Sequence, residues 1–236
     1  MIDLHSHVLP GIDDGSQNLQ MTKAILKGLF DCGVTKLALT PHFYPAKNSV
    51  SHFLQSREEA FQALLTLPEA KKFEFLLGAE VYFTETLFNS DDLAALCYGK
   101  TDLIMVEPCE RDAFTPALRD RLEKLSSSYS LTPVLAHIDR FPYLFRNRKI
   151  LAELREMGCL FQMNVSSLFH FGTSFSCRRL LKDGWVDFLG SDLHRPIPDP
   201  AKFSFQLQKL NRKMEEPMAR IEKNSLSLFG GTPNSI

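Results

Sequence analysis

The sequence contains no C-x-x-C pair, and its five cysteines (Cys32, Cys97, Cys109, Cys159, Cys177) are widely spaced and odd in number. That excludes a disulfide framework and leaves a reducing compartment with inert thiols as the expectation. None of the five is followed six positions later by arginine, so the loop of cysteine-nucleophile phosphatases is absent as well. Neither sign of charge dominates. Lys and Arg total 27 against 28 Asp and Glu, a formal net charge of −1. A broad electrostatic grip on nucleic acid or on an anionic membrane is therefore not expected, which leaves only a local basic patch open. No apolar run approaches the roughly 20 residues of a bilayer span. Asp3 and two histidines stand where a signal peptide would carry its apolar stretch, so a cytoplasmic location is the expectation. No Pro- or Ser-rich linker divides the chain. One domain over residues 1–229, with a frayed GGTPNSI tail over 230–236, is expected.

What is present is a rhythm. Hydrophobic residues make up 44% of the 236 and charged residues 23%, ordinary values for a globular protein with one sizeable core. Short apolar, β-branched runs alternate with segments of helical period, as in βα units around a parallel sheet. The expected strands are 2–5, 36–40, 73–80, 102–107, 133–137, 160–164 and 186–191. Between them lie apolar stripes: Ile25, Leu26, Leu29 and Phe30 before Gly33; Phe53, Leu54, Ala60, Phe61, Leu64 and Leu65; Leu118, Leu122 and Leu125; and Leu151, Leu154 and Met157 before Gly158. Seven strands in strict alternation favour a closed α/β barrel over an open sheet.

The histidines follow the same rhythm. His5 and His7, His42, His137 and His194 fall at or just past expected strand ends, and Glu80, Glu107 and Asp192 occupy others. In an α/β barrel these ends converge on one face, where active sites are built. The steps from His7 to His42, Glu80, Glu107 and His137 are each about one βα unit, and the step to Asp192 is about two. The skipped strand ends at Asn164, which is suited to supporting a ligand from behind. His52 and His170 lie off the pattern and read as surface residues. Several ionised carboxylates at one mouth repel one another unless cations lie among them. Imidazole and carboxylate donors without thiolate suit Mn²⁺, Fe²⁺ or Zn²⁺. So many donors exceed what one ion needs, and two or three ions point to hydrolysis at phosphorus.

The motifs HSHVLPGIDDGS at the start, TPHF at 40–43, GAE at 78–80, AHIDR at 136–140 and SDLHRP at 191–196 resemble those of the polymerase-and-histidinol-phosphatase (PHP) superfamily. Within it, the chain is most similar to the bacterial metal-dependent protein tyrosine phosphatases of capsular and exopolysaccharide operons. The resemblance spans residues 1 to about 200. It implies a distorted seven-stranded (β/α)7 barrel and three divalent ions, manganese favoured. It places one ion among His5, His7, Glu80 and Asp192, and a second on Glu80, Glu107 and His137. The third falls on His42, His194 and one acid of the Asp13–Asp14 pair, Asp14 being favoured. Arg140 and Arg195 match the family's phosphate-clamping arginines, whose forks suit two phosphate oxygens.

The resemblance also implies a substrate: a phosphotyrosine-bearing protein, the tail of a tyrosine kinase of polysaccharide export. Phe43, Tyr44, Phe169 and Phe171 are candidates for an aromatic wall around the phosphotyrosine ring, with plain core packing as the competing role. Three other functions compete. A small-molecule, histidinol-phosphate-like phosphatase would share the metals, but the acidic IDDG loop stands where that branch has a further histidine. Nuclease action is disfavoured by the near-neutral charge. A non-catalytic PHP module that kept the fold is disfavoured because every ligand position is filled.

Overall fold

A computed structural model describes residues 1–230. The elements form where local chemistry starts and stops them. Helix α1 (Leu19–Asp31) begins at Asn18, whose side chain accepts from the Met21 amide at 3.0 Å, and ends before Gly33, which takes a positive φ of 83°. Helix α2 (Val50–Leu65) is capped by Ser49, α3 (Pro116–Tyr129) by Thr115 with proline in its first turn, and α5 (Arg148–Glu156) by Asn147. The short α4 (Pro142–Phe145), then α6 (Ser174–Lys182), α7 (Pro200–Lys213) and α8 (Glu215–Phe229), complete the helices among the described residues. None of them is long and apolar enough to cross a membrane. Gly230 closes α8; the rest of the expected frayed tail lies outside the described residues.

The strands are all parallel and form two sheets. One has the order β1 (Ile2–Asp3), β2 (Lys36–Leu39), β4 (Glu74–Leu77). The other runs β3 (His42–Phe43), β5 (Glu80–Phe83), β6 (Leu103–Pro108), β7 (Thr132–Leu135), β8 (Leu160–Asn164), β9 (Phe188–Gly190). Among the described residues the ladders thus draw nine short strands in place of the seven expected, and no closed barrel ladder. The extra strands come from two breaks side by side. The expected strand 36–40 stops before Pro41, which has no N–H to donate, and pairing resumes at His42. The expected strand 73–80 is interrupted at Gly78 and Ala79, so Glu80 opens β5 and does not end the strand before it. Backbone bonds bridge the break: Gly78 N–H donates to Leu39 O and Glu80 N–H to Pro41 O, both at 3.0 Å. On the far side, Leu4 N–H donates to Leu189 O at 3.2 Å and Asp192 N–H to His5 O at 2.7 Å, which brings the end of β1 against β9.

Strand β6 shows why both faces are apolar. Leu103 and Met105 pack with Leu4, Val134 and Phe188, while Ile104 and Val106 pack towards α3 residues Leu118, Leu122 and Leu125. Two stripe residues fall outside the core. Phe30 and Leu65 sit near the ends of α1 and α2 and remain exposed; the Phe30 ring is covered instead by the Lys72 ammonium at 4.2 Å.

Candidate metal centre

The cluster is assembled from the loops that leave the sheets, and its hub is Glu80, fully buried at the start of β5. One carboxylate oxygen of Glu80, Oε2, lies 3.2 Å from His5 Nε2, 3.1 Å from His7 Nε2 and 3.2 Å from His42 Nδ1. The other, Oε1, lies 2.7 Å from His137 Nε2, which is also 3.7 Å from Glu107 Oε1. Asp192 Oδ1 faces the same rings, 3.6 Å from His5 Nε2 and 3.5 Å from His7 Nε2. Asp14 Oδ1 lies 3.3 Å from His194 Nε2 and 3.6 Å from His42 Nε2. Donor atoms within 4.8 Å of one another form three overlapping sets: His5, His7, Glu80 and Asp192; His7, Asp14, His42 and His194; and His42, Glu80 and Glu107.

Close approach of backbone and side chains makes this packing possible. A Cβ on Gly15 would lie 2.2 Å from the His7 carbonyl oxygen, and one on Gly190 would lie 2.4 Å from His5 Cβ. His137 (φ 30°) and Asp192 (φ 54°) adopt left-handed backbone without being glycine.

The electrostatics call for a cation. Burial alone would raise the Glu80 carboxyl, but the rings of His5, His137 and His7 more than offset it and hold the carboxyl well below the usual range. Burial likewise opposes charge on His5, yet Glu80 and Asp192 push its pKa up; around His7, Asp13, Asp192 and Glu80 do the same more strongly. Glu107 is raised by burial and by the charge of Glu80. His7 donates Nδ1–H to Asp13 Oδ2 at 2.7 Å and His5 donates Nδ1–H to Gln162 Oε1 at 3.2 Å, so each would present its Nε2 lone pair inwards once a cation displaces the proton that the raised pKa values favour there. Those two nitrogens are 3.1 Å apart. Glu80 Oε2 and Asp192 Oδ1 are buried with no hydrogen-bond partner. Lone pairs facing lone pairs, with orphaned carboxylate oxygens between them, fit a divalent cation and are costly without one.

A family model for capsular polysaccharide synthesis, CpsB/CapC, matches residues 1–225. The chain belongs to the CpsB/CapC family. It is 29% identical over 211 residues to the tyrosine-protein phosphatase CpsB of Streptococcus pneumoniae, covering 82% of this chain and 83% of the relative. To the tyrosine-protein phosphatase YwqE of Bacillus subtilis it is 26% identical over 207 residues, covering 82% and 77%. Its fold is similar to a crystal structure from work on YwqE of Bacillus subtilis and CpsB of Streptococcus pneumoniae, described as metal-dependent tyrosine phosphatases. The TM-score is 0.79 at 22% identity, covering 99% of this chain and 96% of that one.

Eight of the nine residues expected as ligands fall in these three sets; His137 falls in none, His42 taking the place expected for it beside Glu80 and Glu107, and it joins the cluster through its contacts with Glu80 Oε1 and Glu107 Oε1. The Asp13–Asp14 ambiguity separates geometrically. Asp13 is turned inwards, accepting from His7 Nδ1, from Gly15 N–H at 2.9 Å and from His42 N–H at 3.0 Å, whereas Asp14 faces His42 and His194. Arg140 reaches over the cluster to Asp192 Oδ2. Arg195 Nη1 donates to the Gly15 carbonyl at 2.9 Å and so ties the 13–15 loop to the segment after β9. Asn164 donates to Asp192 Oδ2 at 2.9 Å. His52 and His170 are exposed and away from the cluster.

The four aromatic residues divide between the two roles and solvent. Phe43 is buried against Phe53 because it alternates with His42 across the sheet, and Phe171 projects into solvent at 99% exposure. Phe169 packs edge-on to Phe203, between α6 and α7. Of these four, Tyr44 alone stands beside the cluster, its ring 5.3 Å from that of His42 and 5.6 Å from that of Tyr82. Burial and the nearby charges of Asp14, Glu107 and Glu80 push its phenol up to about 12. Sequence reasoning missed Tyr82 and also Gln162, which accepts from the His137 amide and from His5 and donates to Asn164 Oδ1 at 3.1 Å. The readable signal was a polar residue midway through β8, flanked by Phe161 and Met163.

Proposed function

We propose that this chain is a metal-dependent phosphomonoester hydrolase acting as a protein tyrosine phosphatase, and that the cluster holds three divalent ions, manganese favoured over iron or zinc. One would be held by His5, His7, Glu80 and Asp192, a second by Glu80, Glu107 and His137, and the third by Asp14, His42 and His194. The observation that carries this reading is the single Glu80 carboxylate ringed by four imidazoles. Bound ions would supply an activated water and neutralise charge on the phosphate.

The chain's own residues do the rest. Asp13 and Gln162 fix the tautomers of His7 and His5 by accepting their Nδ1 protons. Arg140 and Arg195, both exposed at the rim, present guanidinium nitrogens to phosphate oxygens. Tyr44, backed by Tyr82, offers a half-buried aromatic face for the ring of the ester. The two breaks that split expected strands, together with the backbone bonds between the end of β1 and β9, support a distorted (β/α)7 barrel of one domain. The family description supports a role in capsular polysaccharide synthesis, and the resemblance extends that to exopolysaccharide. There the substrate is the autophosphorylated tail of a tyrosine kinase of polysaccharide export, met in the cytoplasm.

The test is turnover of phosphotyrosine peptides by protein loaded with Mn²⁺, set beside histidinol phosphate. Higher kcat/KM on the peptides is the expected result. No peptide turnover with full metal loading would overturn the reading, and preference for histidinol phosphate would replace it with a small-molecule phosphatase.

A further inference from the structure

The chain carries a net charge of −1, yet one of its grooves is lined by cations with no carboxylate among them. It lies between α6 and α7, has a volume of about 710 Å3, and bears Arg178, Arg179, Lys182, Lys209 and Lys213. Arg178 is anchored, its Nε donating to the Leu168 carbonyl at 2.8 Å. Arg179 has only a 3.8 Å approach to Asp183, a carboxylate that Arg148 also holds. The three lysines make no ion pair among the described residues. Five like charges facing one space repel each other, and an anion in that space relieves the repulsion.

The groove is not purely electrostatic. Leu210 and Met214, both buried, form an apolar floor, and Phe175, 80% exposed, stands at the edge. A peptide side chain can reach a floor recessed between two helices, whereas the plane of a bilayer cannot. Acidic side chains beside one aromatic or aliphatic anchor therefore fit it best. Both walls also grow out of the metal centre. Helix α6 follows β8, whose Asn164 bonds Asp192, and α7 follows the segment of Asp192 to Arg195.

We propose that the groove between α6 and α7 docks an acidic segment, carrying one apolar anchor, of the same phosphoprotein whose phosphotyrosine enters the metal centre. The identity of that partner rests on the phosphatase reading; the preference for an acidic chain does not. Docking on one chain would raise the effective concentration of the phosphotyrosine at the cluster.

The experiment uses the full chain loaded with Mn²⁺ and the double variant Lys182→Glu/Lys209→Glu. The probe is a fluorescein-labelled, unphosphorylated peptide rich in Glu and Asp with one Phe, followed by anisotropy. Wild type should bind it, with affinity falling as salt rises, and the variant should bind it about tenfold or more weakly. Turnover of para-nitrophenyl phosphate should be the same in both. The kcat/KM of a phosphotyrosine peptide extended by the acidic segment should drop in the variant to that of the unextended peptide. If circular dichroism shows the reversal variant unfolded, Lys182→Ala/Lys209→Ala gives the same comparison with a loss of several-fold. The proposal is overturned if wild type ignores the peptide, or if both proteins bind it equally. It is also overturned if phosphatidylglycerol vesicles, and not the peptide, bind in a lysine-dependent way. Loss of para-nitrophenyl phosphate turnover by metal-loaded wild type would count against the phosphatase reading instead, while the anisotropy still decides the groove.

Discussion

His137 and Asp192 hold left-handed backbone at the two points where the chain must turn a ligand inwards, a conformation that costs on the order of 1–3 kcal/mol per residue. The surrounding bonds impose it: the His137 amide donates to Gln162, and the Asp192 amide to the His5 carbonyl. At this scale the donors can be told apart from the residues that orient them. His7→Ala and Asp192→Ala should each abolish turnover together with part of the bound metal, read by elemental analysis. Asp13→Ala removes the acceptor behind His7, together with its bonds from the Gly15 and His42 amides, but no expected donor. It should weaken metal affinity by about 10–100-fold while leaving kcat near wild type once metal is saturating. Asp14→Ala should stay inactive at any metal concentration. A reversal of those two outcomes would exchange the roles of the neighbouring acids. Arg140→Ala keeps every donor in place, so metal content should be unchanged while KM for the phosphopeptide rises; an unaltered KM would remove Arg140 from phosphate binding.

At the level of elements, the loop after β6 is pinned to α3 by one ion pair. Arg121, 7% exposed, reaches Glu110, and its guanidinium lies over the Phe83 ring at 5.4 Å. Burial works against the Glu110 charge, but Arg121 outweighs it and depresses the carboxyl. A carboxyl whose folded value is depressed binds fewer protons folded than unfolded. Its contribution is therefore present above the ordinary Glu pKa of about 4.3 and is lost as pH falls through the depressed value. Glu110→Gln should cost about 2 kcal/mol near neutral pH, measured by urea unfolding. The difference from wild type should shrink below about pH 4. A gap of constant size across that range would show that the pair is not the cause. The same scale shows the limit of strand reading. Periodicity located seven strand regions but missed β3 (His42–Phe43) and most of β5 (Glu80–Phe83), because pairing that resumes after Pro41 and after Gly78–Ala79 depends on which neighbour each segment finds, and that is not a local property.

Across the whole molecule the proposed metal centre joins the ends of both sheets, so ions held there should act as a clasp. Glu80 comes from β5, His5 and His7 follow β1, and Asp192 follows β9. Removing bound metal with EDTA should lower the thermal midpoint. An ion present at about 100 times its dissociation constant contributes about 2.7 kcal/mol to the folded state. For a chain of this length that is a fall of about 5–10 °C, read by calorimetry. An unchanged midpoint after verified metal loss would show that the fold does not lean on the ions.

The amino-acid order alone determined the alternation of strands and helices, the glycine stops after α1 and α5, and the recurrence of five histidines and three acids at steps of about one or two βα units. Each of these is a short-range property of spacing and residue type. The separation of Asp13 from Asp14, the parts played by Gln162 and Tyr82, and the solvent-facing fate of Phe171 were decided only by the tertiary structure. They depend on which side chains from remote segments arrive in the same few ångströms, and a linear pattern carries no record of that meeting. The basic groove belongs with them. Its cations come from two helices whose charges are balanced elsewhere in the chain, so composition averages away what packing concentrates.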